Sequence, residues 1–250
     1  MSNLKNLKTK KGRDESGLFV VEGEKFIEEI PAQYTVRHYL ATQKFADENN
    51  LDRYKNRARV EIIRDSVFNG IADTVSPQGI MAVCEQISHT LPQILQPDGF
   101  ILLGENINDP GNMGTLVRTA AAAGACGAVF TRGSCDVFAP KVLRAAAGAV
   151  LRLPIVANTE AEDAFAFLKS EHIPVFAAHP RGDALPYELN LRKNFCILIG
   201  NETHGISQTA KNCADALVRL PMTNTTESLN ASVAGSILLY EAVRQRLDLS

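Results

Sequence analysis

The sequence predicts an α/β protein: a C-terminal domain built on a parallel sheet, behind a smaller N-terminal α/β domain. Three observations carry that prediction. Solid apolar runs of strand length recur at 100–104, 127–131, 153–156, 174–178, 195–200 and 217–220, alternating with helical stretches. Strands that are apolar on both sides belong in a parallel sheet covered on both faces. The alternation is interrupted once, at 88–99, where Pro92, Pro97 and Gly99 surround a single short apolar run and read as a connection. The chain has 250 residues and is 45% hydrophobic, enough for one large or two small domains with a real core. The expected layout is therefore 1–90, a linker at 91–99, and 100–250.

The N-terminal elements follow from local signals. Residues 18–21 form a short buried strand. A helix over 24–30 is stopped by Pro31. A strand at 35–41, a helix at 43–50 and a strand at 59–63 come next. Asp65 or Ser66 caps a short helix to about Ala72, and 79–83 is a fourth strand. Strand and helix alternating at this spacing indicate a small α/β domain.

In the C-terminal half, a loop at 105–111 leads from the first strand into a helix over 112–123. Further helices are expected at 139–149, at 160–170 and after Ser207. The last strand, 217–220, is ended by Pro221, which has no donor for a sheet ladder. Residues 223–228 carry many side chains that bond locally and disfavour regular structure. A long helix then runs over 229–247, with Ser228 or Asn230 as its N-cap.

Composition excludes several classes. The net charge is −2, which argues against holding nucleic acid by bulk charge and leaves local basic patches open. No apolar run has the length of a membrane span, and the N-terminus lacks an apolar signal region. A cytoplasmic location is the expectation. Five cysteines and five histidines are scattered. Reduced core thiols are expected, with no disulfide framework and no metal site. Lys5, Lys8, Lys10, Lys11 and Arg13 stand together with no acidic residue among them. They form either a solvated face or a phosphate-contacting arm.

Three strand ends carry candidate chemistry. Ligands of open parallel sheets bind at such ends. In the first, Gly111 and Gly114 allow close backbone approach around Asn112. Arg118 lies six residues on, with a side chain that leans back toward the helix start. The pattern is neither a dinucleotide fingerprint nor a P-loop. Its plain alternative is a capped helix with a surface arginine. In the second, Gly200-Asn201-Glu202-Thr203-His204-Gly205 sets a carboxylate between two glycines. The alternative there is a tight turn with an exposed Glu, and His204 reads as a solvent-facing turn residue. The third is the stretch from Leu217 to Ser232.

Together the three loops resemble the three sequence motifs of the SpoU (TrmH-like) family of RNA ribose 2′-O-methyltransferases. Asn112, Gly114 and Arg118 are similar to the family's first motif. Gly200, Glu202 and Gly205 are similar to the second. Pro221, Met222, Ser228, Leu229, Asn230 and Ser232 are similar to the third. The resemblance spans about 100–247 and departs from the commoner small residues at Thr203-His204. A weaker likeness joins Lys11, Arg13, Phe19 and Glu22-Gly23 to the family's small L30e-like substrate-binding domain.

The resemblance implies a deep trefoil knot at the C-terminus, a homodimer, and S-adenosylmethionine held by the knot loops. Gly200, Leu220 and Leu229 match cofactor positions, and Ala178 and Met222 are expected in the same pocket. Asn112, Arg118, Glu202, Ser228 and Asn230 are the expected catalytic set. Glu202 is expected to tie the loops together by accepting backbone hydrogen bonds. Lys8, Lys10, Lys11 and Arg13 are expected to hold RNA. A guanidinium stays protonated, so Arg118 suits a phosphate clamp or an alkoxide stabiliser better than a base. With no tryptophan and 6% aromatics, the chain offers no extended stacking platform. Ribosomal RNA of the large subunit is the expected target ahead of transfer RNA, by analogy with the extra N-terminal domain. A non-catalytic RNA-binding or ribosome-assembly protein of the same fold is the competing expectation. A dehydrogenase lacks its glycine fingerprint.

Overall fold

The computed structural model describes residues 2–223 and 228–247. The N-terminal half begins with α1 (Ser2–Asn6) and α2 (Lys10–Ser16), then β1 (Leu18–Glu22) and α3 (Glu24–Glu28). It continues through β2 (Val36–Ala41), α4 (Gln43–Glu48), α5 (Asp52–Lys55), β3 (Arg59–Ile62), α6 (Asp65–Ile71) and β4 (Ile80–Glu85). Its sheet has the order β1-β4-β2-β3, with β4 antiparallel to both neighbours and β2 parallel to β3. The basic N-terminal stretch is largely helical, in α1 and α2. The Thr9 hydroxyl accepts from Gly12 N at 3.1 Å to start α2, and Gly17 ends it at φ 65°. Glycine reaches that left-handed conformation without a Cβ penalty.

The C-terminal half alternates as expected. It contains β5 (Phe100–Gly104), α7 (Pro110–Ala123), β6 (Gly127–Thr131), α8 (Pro140–Ala145), β7 (Ile155–Thr159), α9 (Ala161–Ser170) and β8 (Val175–Ala178). Then come β9 (Phe195–Ile199), α10 (Gln208–Cys213), β10 (Ala216–Val218) and α11 (Ala231–Leu247). The six strands are ordered β10-β8-β9-β5-β6-β7 and every pairing is parallel. Side chains alternate between the faces of a strand. Phe100, Leu102, Ile197 and Ile199 pack on the side of α7 and α11. Ile101, Leu103, Cys196 and Leu198 pack on the other, with residues of α9 and α10. Several elements are shorter than expected. α8 gives way after Ala145 to a turn, and β10 stops at Val218, ahead of Pro221. β10 is the last strand of the sheet, beside β8, and its outer side carries an isolated parallel bridge from Val218 to Ala184, with Arg219 N donating to Ala184 O at 3.0 Å.

The two sheets share one hydrophobic cluster. The Phe19 and Phe138 rings lie 4.6 Å apart across the boundary. Arg13 pairs with Asp136 at 2.6 Å, Arg144 with Asp73 at 2.5 Å, and Arg152 with Glu29 at 3.3 Å. The 91–99 connection also packs down. Its 3-10 turn Leu91–Ile94 buries Ile94 completely against Gly127. Of the cysteines, Cys84, Cys126 and Cys196 are buried, Cys135 is half-buried and Cys213 is exposed. No helix among the described residues is long and apolar enough to cross a membrane.

Candidate active site

The loops after β5, β9 and β10 meet at the C-terminal edge of the parallel sheet. Each is shaped by its own caps. The Asp109 side chain accepts from Asn112 N at 2.8 Å, with Pro110 opening α7. Asn201 Oδ1 accepts from Thr203 N at 2.9 Å and His204 N at 3.0 Å, which folds the second loop. Gly205 sits at φ 68°, and a Cβ on Gly200 would come within 2.4 Å of the Gly205 carbonyl carbon. Both glycines are thus required by the turn itself. Asn230 Oδ1 accepts from Ser232 N at 2.9 Å and Val233 N at 3.2 Å. Asn230 is therefore the cap that starts α11, as the alternative to Ser228.

One side chain then joins the three. Asn112 Nδ2 donates to Glu202 Oε1 at 3.0 Å, and Asn112 Oδ1 accepts from Asn230 Nδ2 at 3.0 Å. A side-chain amide carries a donor and an acceptor, so Asn112 donates to the carboxylate and accepts from a second amide at once. Glu202 also accepts from the Asp109 backbone N–H at 3.4 Å and from the Asn201 side chain at 3.4 Å. Its main partner is thus a side chain, where backbone donors were expected.

Beside this network lies a cavity of about 360 Å³. Ala178, Gly200, Leu220, Met222 and Leu229 all line it, together with Glu202 and Ser228. Asn112, Arg118 and Asn230 are not among its walls. The sequence reading missed His179, Arg181 and Lys211 at the same cavity. Burial, then the Lys211 and Arg181 charges, hold the His179 imidazole below its usual pKa. It also missed Glu105, which is buried and accepts from Ser207 N at 2.8 Å and Ser207 Oγ at 2.6 Å. That carboxylate ties the first loop to the exit of the second. An acidic residue directly after an apolar strand was the one available signal.

Arg118 is exposed on α7, and its side chain makes no hydrogen bond or ion pair among the described residues. Its neighbour Thr119 bonds the Ser236 hydroxyl at 3.0 Å, which sets this part of α7 against α11. Gly114 does not open the loop to a ligand. A Cβ there would lie 2.4 Å from Ala145 Cβ, so its role is the close packing of α7 on the α8 segment.

Residues 99–240 match the profile of the SpoU rRNA Methylase family. The chain belongs to that family. Residues 1–82 match an MRM3-like substrate binding domain. The chain is 30% identical to the 23S rRNA (guanosine(2553)-2′-O)-methyltransferase RlmP of Bacillus subtilis, covering 96% of this chain and 94% of the relative. It is also 30% identical to the 23S rRNA (guanosine-2′-O-)-methyltransferase RlmB of Xanthomonas campestris, over 75% and 78% of the two chains. The crystal structure of the SpoU methyltransferase AviRb from Streptomyces viridochromogenes, in complex with AdoMet, superposes with a TM-score of 0.89. It is 27% identical and covers 98% of this chain and 97% of its own.

The structure places one member of the expected RNA-binding set of this SpoU protein apart from the other three. Arg13 is 3% exposed. Its Nε donates to Asp136 at 2.6 Å and its Nη1 to the Leu7 carbonyl at 2.7 Å. At that burial the guanidinium presents almost no surface to solvent. Helix formation at Lys10–Ser16 turns position 13 inward, while Lys8, Lys10 and Lys11 remain exposed. Lys11 also pairs loosely with Glu15 at 3.7 Å.

Proposed function

We propose that this chain transfers the methyl group of S-adenosylmethionine to a ribose 2′-hydroxyl in structured 23S ribosomal RNA. One observation carries the reading: the Glu202–Asn112–Asn230 path joins all three family motifs beside a cavity of ligand size. Pockets for small ligands and cofactors begin at about 300 Å³ and are mostly apolar, with a few placed polar groups. Here Leu220, Met222 and Leu229 supply the apolar wall and Glu202 and Ser228 the polar groups. The bound donor supplies an electrophilic methyl on a sulfonium.

The chain's own residues then position and polarise. The Asn112 bridge holds three loops in one geometry, which serves in-line attack, a matter of orientation. Arg118 offers an unpaired, forked cation to a phosphate or to the developing alkoxide. Lys8, Lys10 and Lys11 offer exposed charge to the RNA backbone.

The finer architecture is part of the proposal. The N-terminal half is an L30e-like substrate-binding domain. The C-terminal segment forms a deep trefoil knot. In support, the chain leaves edge strand β10 and returns to the middle of the sheet, where Gly235 of α11 packs on Leu116 and Ile199. The protein is a cytoplasmic homodimer that pairs through α11. Val233, Ile237 and Tyr240 are 45%, 44% and 53% exposed on that helix, at spacings that put them on one face.

The test is the map of ribose methylation in ribosomal RNA from cells with and without this gene. One missing 2′-O-methyl group in the deletion, restored by the purified protein with S-adenosylmethionine, is the expected result. An unchanged map overturns the reading.

A further inference from the structure

A second cavity, of about 230 Å³, lies between the two sheets. Lys10, Asp14 and His89 line it from the N-terminal side, and Ser134, Ala157 and Asn158 from the other. It shares a wall with the loop that carries Asn112. The Ser134 hydroxyl accepts from Ile107 N at 3.1 Å, and the Thr131 hydroxyl accepts from Asn106 N at 3.0 Å.

Asn158 stands out in this cleft. β7 is an edge strand, and its register with β6 passes from Phe130–Ala157 to Thr131–Thr159. Asn158 is therefore the extra residue of a bulge. Its φ is 59°, a left-handed conformation uncommon outside glycine. Bulges beside active sites re-aim side chains, and backbone strain collects where ligands are held. Among the described residues the exposed Asn158 amide makes no hydrogen bond. It is left with both donors and an acceptor to give.

We propose that this cleft receives one unpaired base of the RNA, close to the methylated nucleotide, and that Asn158 reads its edge. The inference rests on the function proposed above. RNA sequence is read mainly on unstacked bases, through hydrogen bonds to their edges and contact with aromatic rings. Tyr34, Phe130 and Phe138 supply the apolar side of the cleft. Its charges are balanced rather than cationic. Asp136 is neutralised by Arg13, and Lys10 stands with Asp14. A neutral polar cleft suits a base, whereas a phosphate needs net positive charge.

Two variants test this on ribosomal RNA from cells lacking the gene. Asn158→Gly keeps the left-handed backbone and removes the amide. Ala157→Phe fills the cleft. Each is expected to keep the thermal midpoint and S-adenosylmethionine affinity and to raise KM for the RNA about tenfold, the lower range of a two-bond amide–base contact. Base-reactive chemical probing should show one unpaired base, near the methylated ribose, protected by the wild type and open with either variant. Unchanged KM in both variants overturns the proposal. So does a loss confined to kcat with the base still protected, which would leave Asn158 a shaper of the strand end. A wild type that protects no base overturns it as well. A wild type that protects the base yet transfers no methyl would sink the enzymatic reading and leave the cleft as an RNA site.

Discussion

Asn112 Oδ1 accepts a hydrogen bond from Asn230 Nδ2 at 3.0 Å, across 118 residues of chain. Each asparagine also has a second role. Asn112 donates to Glu202, and Asn230 caps α11. The bond therefore couples the start of one helix to the start of another, with the second motif attached.

Substitution at position 230 should separate capping from bridging. Asn230→Asp keeps an acceptor for the Ser232 and Val233 N–H groups but loses the donor to Asn112. Methyl transfer should fall at least tenfold, with the thermal midpoint nearly unchanged. Asn230→Ala loses the cap as well. That costs about 1 kcal/mol and lowers the midpoint by about 2–4 °C. Wild-type transfer rates in both variants would detach the bridge from the reaction.

Arg118 should matter for rate and not for stability. It is exposed and unpaired among the described residues, so Arg118→Lys and Arg118→Ala should melt within about 0.5 kcal/mol of wild type. Lysine keeps the charge and loses the planar fork. Single-turnover transfer of labelled methyl should fall about a hundredfold in the lysine variant, roughly 2.7 kcal/mol of transition-state stabilisation, and no less in the alanine variant. Near-normal transfer by the alanine variant would leave a capped helix with a surface arginine.

Leu229 tests the cofactor cavity. It lines that cavity while 38% exposed, so a polar replacement there is tolerated by the fold. Leu229→Asp should abolish S-adenosylmethionine binding in calorimetry and leave far-ultraviolet dichroism intact. Undiminished affinity would place the cofactor elsewhere.

The basic N-terminus should divide into two behaviours. Arg13→Met strands the Asp136 carboxylate, which is 11% exposed, and should destabilise by about 3 kcal/mol in urea unfolding. Replacing Lys8, Lys10 and Lys11 with Gln should leave stability alone. RNA binding should weaken, and its log–log salt slope should flatten by about one for each phosphate that is no longer neutralised. An unaltered slope would return these lysines to a solvated face.

The amino-acid sequence by itself determined the alternating elements, the parallel sheet of the second half and the three loops. Those features rest on neighbours in the chain: apolar runs of strand length, turn glycines at 200 and 205, and a cap at 230. Tertiary structure alone decided what the loops do to one another. Nothing near Asn112 in sequence indicates that its amide faces both Glu202 and Asn230, because the partners lie 90 and 118 residues away. The same holds for Gly114, which local pattern reads as an opening for a ligand and packing turns into a helix contact. Arg13 is the clearest case. Charge patterning sees five basic residues in a row of polar sequence. Only the fold of α2 against the other sheet brings Asp136, 123 residues on, to within 2.6 Å and takes that arginine out of solvent. Local sequence sets backbone preference, whereas side-chain partners are chosen by which distant surfaces the packed chain brings together.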